Sequence, residues 1–200
     1  MVRIGRQIPH FAQVRQAGLE AVFSPCRTFR YLLSIPFESG LYDEKRNRVM
    51  TVILKNPSSA DLRAADATIR KVETFVYHRF SDVSVLHILN LFALRATDAA
   101  DLNRVYRESG PEAVIGPEND NYIANFARNS DYLITAWGNR SGIDEDLYTE
   151  RVLRVINRIS ELPSHRVLQV KGKNPTVQPL HGLMWGYDYE VLPFFDLKRG

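Results

Sequence analysis

A chain of 200 residues that is 44% hydrophobic and 24% charged has the composition of one globular domain, long enough for one sizeable core and short for two. Its single cysteine, Cys26, excludes an intramolecular disulfide, an all-cysteine zinc site and a four-thiolate iron–sulfur cluster, and fits a reducing, cytoplasmic setting. The longest apolar runs fall far below the ~20 residues of a membrane-spanning helix, no signal-type stretch follows Met1, and 26 basic against 23 acidic residues permit a nucleic-acid partner without arguing for one.

Residues 1–27 read as an N-terminal extension and residues 28–200 as a single α/β domain. Thr28 to Ile35 is aromatic and aliphatic, a strand ended by Pro36, and Glu38 to Arg48 has turn composition. Val49 to Leu54 is apolar and β-branched, which suits a strand covered on both faces, and it stops at Asn56-Pro57. Leu62, Ala65, Ile69, Val72, Val76 and Phe80 recur every three or four residues and predict a helix over Asp61 to Phe80, with Asp61 as N-cap. The alternation continues with a strand at Val83 to Leu89, helical stretches at Ala99 to Glu108 and Asn121 to Asn129, and a strand at Asp131 to Ala136. A helix at Glu145 to Leu162 and a strand at Arg166 to Val170 complete it. Such order predicts a three-layer α/β/α fold with a mainly parallel sheet of about four core strands and an antiparallel edge strand at Thr28 to Ile35.

In an open parallel sheet the ligand crevice lies beyond the carboxyl ends of the strands. The segments there carry Asn56-Pro57-Ser58-Ser59, then Asn90 and Arg95, then Trp137-Gly138-Asn139, and last a loop from Lys171 to His181. They offer amide, hydroxyl, imidazole and guanidinium groups but no carboxylate. No glycine-rich dinucleotide fingerprint, Walker-type phosphate loop or nucleophile elbow occurs, and the five histidines lack metal-ligand spacing. The expectation is therefore no cofactor, no metal and no membrane partner.

Leu54 to Asp61 (LKNPSSAD), Asp66 to Lys71 (DATIRK), Asn90 to Asp98 (NLFALRATD), Gly116 to Asp120 (GPEND) and Ala136 to Gly138 (AWG) together resemble the bacterial and phage family called domain of unknown function 1643, over about Arg30 to His181. The order strand-NP, strand-LN with a downstream Arg, strand-WG and a final loop with Pro-Leu and His is also similar to the uracil-DNA glycosylase superfamily. That second resemblance implies that Asn56 positions the attacking water and that Asn90, with Arg95 downstream, reads the base edge. The leaving-group residue falls at Gln178 when the last loop is aligned through Pro179-Leu180, or at Asn174-Pro175-Thr176 in the other alignment.

The chemistry is compatible with these groups. Breaking an N-glycosidic bond builds positive charge on the sugar and negative charge on the base, so a site needs an oriented water and fixed donors to the base oxygens. Asn56 holds a water through its carbonyl oxygen, and Gln178 or His181 donates to the departing base. Ser58 and Ser59 either cap the following helix or hold a phosphate. Leu183 and Met184, after the flexible His181-Gly182 pair, form a candidate wedge for a vacated base stack.

The resulting expectation is a hydrolase acting on a damaged or modified pyrimidine in DNA, against a catalytically silent nucleic-acid or nucleotide binding module, or an enzyme of free nucleotides. Plainer structural roles stand beside each assignment. Asn56 ends a strand, Asn90 bonds a strand end, Arg95 pairs with Asp98, Asp66 pairs with Arg70 on a helix surface, and Trp137 and Trp185 pack in the core.

Overall fold

The computed structural model describes residues 7–39, 46–57, 64–96, 98–174 and 176–195. In chain order they form β1 (Glu20–Phe23), β2 (Arg30–Pro36), β3 (Arg48–Leu54), α1 (Ala67–Arg79), β4 (Val83–Asn90), α2 (Ala99–Ser109) and α3 (Glu112–Ile115). Then follow α4 (Asn119–Asn129), β5 (Tyr132–Thr135), α5 (Glu145–Ile159), β6 (Val167–Val170) and β7 (Val191–Pro193). The strands make one mixed sheet in the order β1-β2-β4-β3-β5-β6-β7. Pairings β4/β3, β3/β5 and β5/β6 are parallel, and β1/β2, β2/β4 and β6/β7 are antiparallel.

Side-chain alternation divides the core between the two faces of the sheet. Met50, Val52, Leu54, Leu86 and Ile88 pack with Ile69, Val72 and Phe75 of α1. Ile53, Leu89 and Leu133 pack with Leu102, Ile123 and Val155 of α2, α4 and α5. Both faces are covered, which explains why β3 is nearly all apolar. No described helix is long and apolar enough to cross a membrane.

The sheet is wider than the sequence pattern predicts. The strand expected at the edge, β2, lies inside it, because β1 pairs along its outer side. Residues assigned to an extension thus contribute a strand, and Val14 and Leu19 enter the core. The segment before β1 is strapped to α1: His10 Nδ1 and Glu73 Oε1 are 2.5 Å apart, and the Phe11 amide donates to Glu73 Oε2 at 2.8 Å. Arg70 joins the strap by donating to the Pro9 carbonyl at 3.3 Å and to the His10 carbonyl, so it turns to the N-terminal segment and not to a surface pair with Asp66. α1 begins at Ala67 and not near Asp61, since the Asp66 carboxylate accepts from the Ile69 amide at 2.8 Å and caps the helix. Asp61 and Leu62 lie outside the described residues.

The segment Gly116 to Asp120 anchors the far layer to the end of β4. Asn119 Nδ2 donates to the carbonyls of Asn90 and Leu91, both at 3.0 Å, and Arg151 Nε donates to the Leu91 carbonyl at 2.6 Å. Asp120 receives Arg151 at 2.5 Å, Arg154 at 2.5 Å and Arg158 at 3.1 Å. Burial alone raises the carboxyl's pKa, but the three guanidinium groups hold it below the usual carboxylate range. Asp120→Asn leaves the buried Arg151 without its counter-charge, and the expected loss is about 3 kcal/mol of unfolding free energy in urea. Because the folded-state pKa is depressed, the contribution is present above the ordinary carboxylate pKa and is lost as pH falls through the folded value.

Candidate functional site at the carboxyl edge of the sheet

β3 runs straight into Lys55 and Asn56, β5 into Ala136-Trp137-Gly138, and β6 into a loop that returns across both. Three close approaches fix that return. The Gly182 amide donates to the Ala136 carbonyl at 3.2 Å. Gly138, at φ +69°, faces His181 so closely that an added Cβ would lie 2.7 Å from the His181 Cβ, and a Cβ on Gly182 would lie 2.8 Å from Val72 Cγ2. Beyond the turn, the Trp185 ring packs 4.8 Å from the Phe75 ring, and its indole donates to the Leu180 carbonyl at 3.1 Å.

The returning loop encloses a cavity of about 160 Å³ lined by Arg30, Asn56, Asp66, Thr68 and His181. A second cavity of about 300 Å³, lined by Lys55, Asn56, Asp98, Arg140 and Ser141, lies on the other side of Asn56. Asn56 therefore borders both. Its Nδ2 donates to the Ala96 carbonyl at 2.8 Å, which fixes the orientation of the amide and leaves Oδ1 as an acceptor without a partner among the described residues.

His181 Nδ1 accepts the Leu183 amide at 3.3 Å, so the neutral ring carries its proton on Nε2. Burial, reinforced by the charge of Lys55 and opposed by Asp66, pushes its pKa down to about 4. The ring is thus a fixed neutral donor. Burial also lowers the Lys55 pKa; Lys55 is 8% exposed, and its Nζ donates to Ser141 Oγ at 3.0 Å.

Asn56 and His181 are the sequence-predicted residues that meet in the smaller cavity. Asn90, Arg95 and Gln178 are not among the residues that line either one. Asn90 is 1% exposed and pairs in register with Leu54, which does line the smaller cavity; both of its amide atoms lack a hydrogen-bond partner. Arg95 turns away, with its guanidinium 5.1 Å from the Phe23 ring and a 3.5 Å contact to the Arg27 carbonyl. It does not pair with Asp98, whose carboxylate accepts the Asp101 amide at 2.9 Å and caps α2. Gln178 Oε1 accepts from the buried Trp137 indole at 3.0 Å, which fastens the last loop through the oxygen of the amide. Leu183 and Met184 are 44% and 62% exposed beside His181, while Trp185 is core. Ser58, Ser59 and Pro175 lie outside the described residues.

Lys55, Arg30, Asp66 and Thr68 are site residues to which the sequence pattern gives no clear role. Arg30 does leave a trace, as the one cation of β2, whereas Lys55 follows a strand that already opens on Arg48. Asp66 and Thr68 belong to a helix start that the periodicity places too early.

A family model described as a protein of unknown function, DUF1643, matches residues 30–183. The chain belongs to this family. The DUF1643 match runs from the first residue of β2 through His181 and so contains every residue that lines the two cavities. No curated protein and no solved structure matches the chain. Within the DUF1643 region the quoted segments divide by task. Lys55-Asn56 and Asp66 border the cavities, Ala136 to Gly138 seats the returning loop, and Asn119-Asp120 holds the sheet to its far layer.

Two outcomes follow from this geometry. Gly138→Ala forces a side chain against His181 at a positive φ, and the expected result is a stability loss of about 1–3 kcal/mol with displaced NMR resonances through residues 178–185. His181 and His87 are both held down to about 4 from an ordinary 6.5, so the unfolded chain binds more protons between those values. Unfolding free energy accordingly declines as pH falls from about 6.5 toward 4, and His181→Gln reduces that slope in pH-dependent urea titrations.

Proposed function

We propose that the protein recognises a nucleobase at the carboxyl edge of its sheet and hydrolyses its N-glycosidic bond, with a damaged or modified pyrimidine in DNA as substrate. The observation that carries this reading is the smaller cavity, where the Asn56 acceptor, the Asp66 carboxylate and the neutral His181 donor line one space. Its 160 Å³ is close to the ~150 Å³ that accommodates a single six-membered ring.

In this mechanism Asn56 Oδ1 orients a water toward the anomeric carbon, and the Asp66 carboxylate receives the water's proton. Asp66 supplies the base that the strand-following segments lack. His181 Nε2–H bonds the base oxygen as it gains negative charge; a neutral donor fixed by the Leu183 amide and the Gly138 contact stabilises that charge without reorganisation. Arg30, buried at the same wall, adds positive potential for the departing base. Asn90 stands beside Leu54 on the neighbouring strand and lines neither cavity, so this mechanism gives it no contact with the base. The exposed Leu183 and Met184, which follow His181 in the chain, favour a duplex substrate, since a flipped base leaves a stack to be filled.

The second reading, a silent nucleotide-binding module on the same fold, is favoured by one observation: Gln178, the leaving-group candidate, is not among the residues that line the cavity of Asn56 and His181, and its Oε1 is bonded to the Trp137 indole. The test is release of free base, with the matching abasic site, from duplex oligonucleotides that carry a panel of modified pyrimidines. Salt-dependent binding with no abasic sites on any of them selects the silent module. Asp66→Asn keeps a side chain that caps α1 but removes the base, so the melting temperature should hold while the rate of base release falls about 10²-fold or more. An unchanged rate removes Asp66 from the mechanism.

A further inference from the structure

The reading above uses one of the two cavities. We propose that the other, between the end of β3, the start of α2 and the loop after β5, is a phosphate subsite in which Lys55 and Arg140 hold the phosphate of the nucleotide whose base enters the neighbouring cavity. The base half of this statement rests on the proposed function, and the anion half stands on its own observations.

Lys55 is a buried cation without a counter-charge. No carboxylate lies within ion-pairing distance among the described residues, and its Nζ reaches only the neutral Ser141 hydroxyl. An ammonium withdrawn from water is retained at a cost unless an anion compensates it. Ser141 adopts a left-handed conformation, φ +51°, that non-glycine residues rarely take, and its hydroxyl also donates to the Asn139 carbonyl at 3.2 Å.

Arg140 completes the rim. It donates to the Ile143 carbonyl at 3.1 Å and stands 3.8 Å from an exposed Glu145 carboxylate, a loose hold that an entering phosphate can replace. Among the described residues that line the cavity the one carboxylate is Asp98, which accepts the α2 amide of Asp101 and caps that helix, so Lys55 and Arg140 together outweigh a single negative charge. Asn56 borders both cavities, and a nucleotide spanning them carries its sugar past Asn56. That is where the bond to be broken must lie.

Calorimetric titration of the full chain and of Lys55→Met with inorganic phosphate, deoxyuridine, deoxyuridine monophosphate and a short single-stranded oligodeoxynucleotide tests the subsite. The monophosphate should bind about tenfold or more tightly than the nucleoside, and Lys55→Met should erase that increment while nucleoside affinity stays the same. An increment shared by the oligonucleotide assigns a phosphodiester ligand, and one confined to the monoester assigns a free nucleotide. An increment that persists in Lys55→Met, or is absent from the wild type, overturns the subsite whether or not the nucleoside binds. Phosphate binding lost in Lys55→Met with no nucleoside binding upholds the subsite and counts against the base reading. Should Lys55→Met not fold, Arg140→Gln substitutes: phosphate must raise its melting temperature less than that of the wild type, and an equal rise overturns the proposal.

Discussion

The site depends on how closely the chain after β6 comes back to the turn after β5. That approach is possible only because Gly138 and Gly182 lack side chains where His181, Val72 and Leu54 sit within 3 Å or so of a Cβ position. One backbone hydrogen bond, Gly182 to Ala136, sets the height of the crossing. Trp185, sunk against Phe75, and Trp137, tied to Gln178, pin the loop on both sides. The cost of ordering a long loop over the open edge of a sheet is offset by this packing. The same contacts turn His181 inward, fix its tautomer and form the wall of the smaller cavity.

The protein treats its buried charges in two ways. Asp120 is surrounded by three arginines, and Glu73 takes both the His10 ring and the Phe11 amide; each is a joint between layers or between the N-terminal segment and α1. Among the described residues Lys55 has no such partner, although it is nearly as buried. Paired buried ions hold structure together, and an unpaired one in a cavity is poised for a ligand. Its field helps to keep His181 neutral, which makes the imidazole a donor of constant charge across the ordinary pH range.

Much of the fold was legible in the sequence, because the apolar β-branched run of β3 and the three-and-four spacing of α1 report burial directly. β1 and β7 were not legible. Their exposed and half-buried residues carry little alternation, and only pairing with β2 and β6 makes them strands. The end of β3 was legible as a functional edge through Asn56, whereas Lys55 was hidden as an ordinary basic residue at a strand end. Asp66 was obscured by a hydrophobic period that extends back to Leu62, so the cap, and with it the carboxylate in the cavity, fell inside the predicted helix. Gln178 was singled out for its place beside Pro179; what the sequence does not display is that its Oε1 meets the buried Trp137 indole's need for an acceptor, apart from the residues that line the smaller cavity.

The central claim is that a base lodges between Asn56 and His181, with the sugar passing Asn56. The most direct measurement is a crystal structure of the protein with an oligonucleotide carrying a non-hydrolysable pyrimidine nucleotide. The account predicts a flipped base in the cavity lined by Asp66, Thr68 and His181, its oxygen within hydrogen-bond distance of His181 Nε2. A base bound instead at the opposite end of the sheet, in the basic cavity lined by Arg48, Arg128 and Arg166, with the His181 cavity empty, would contradict it.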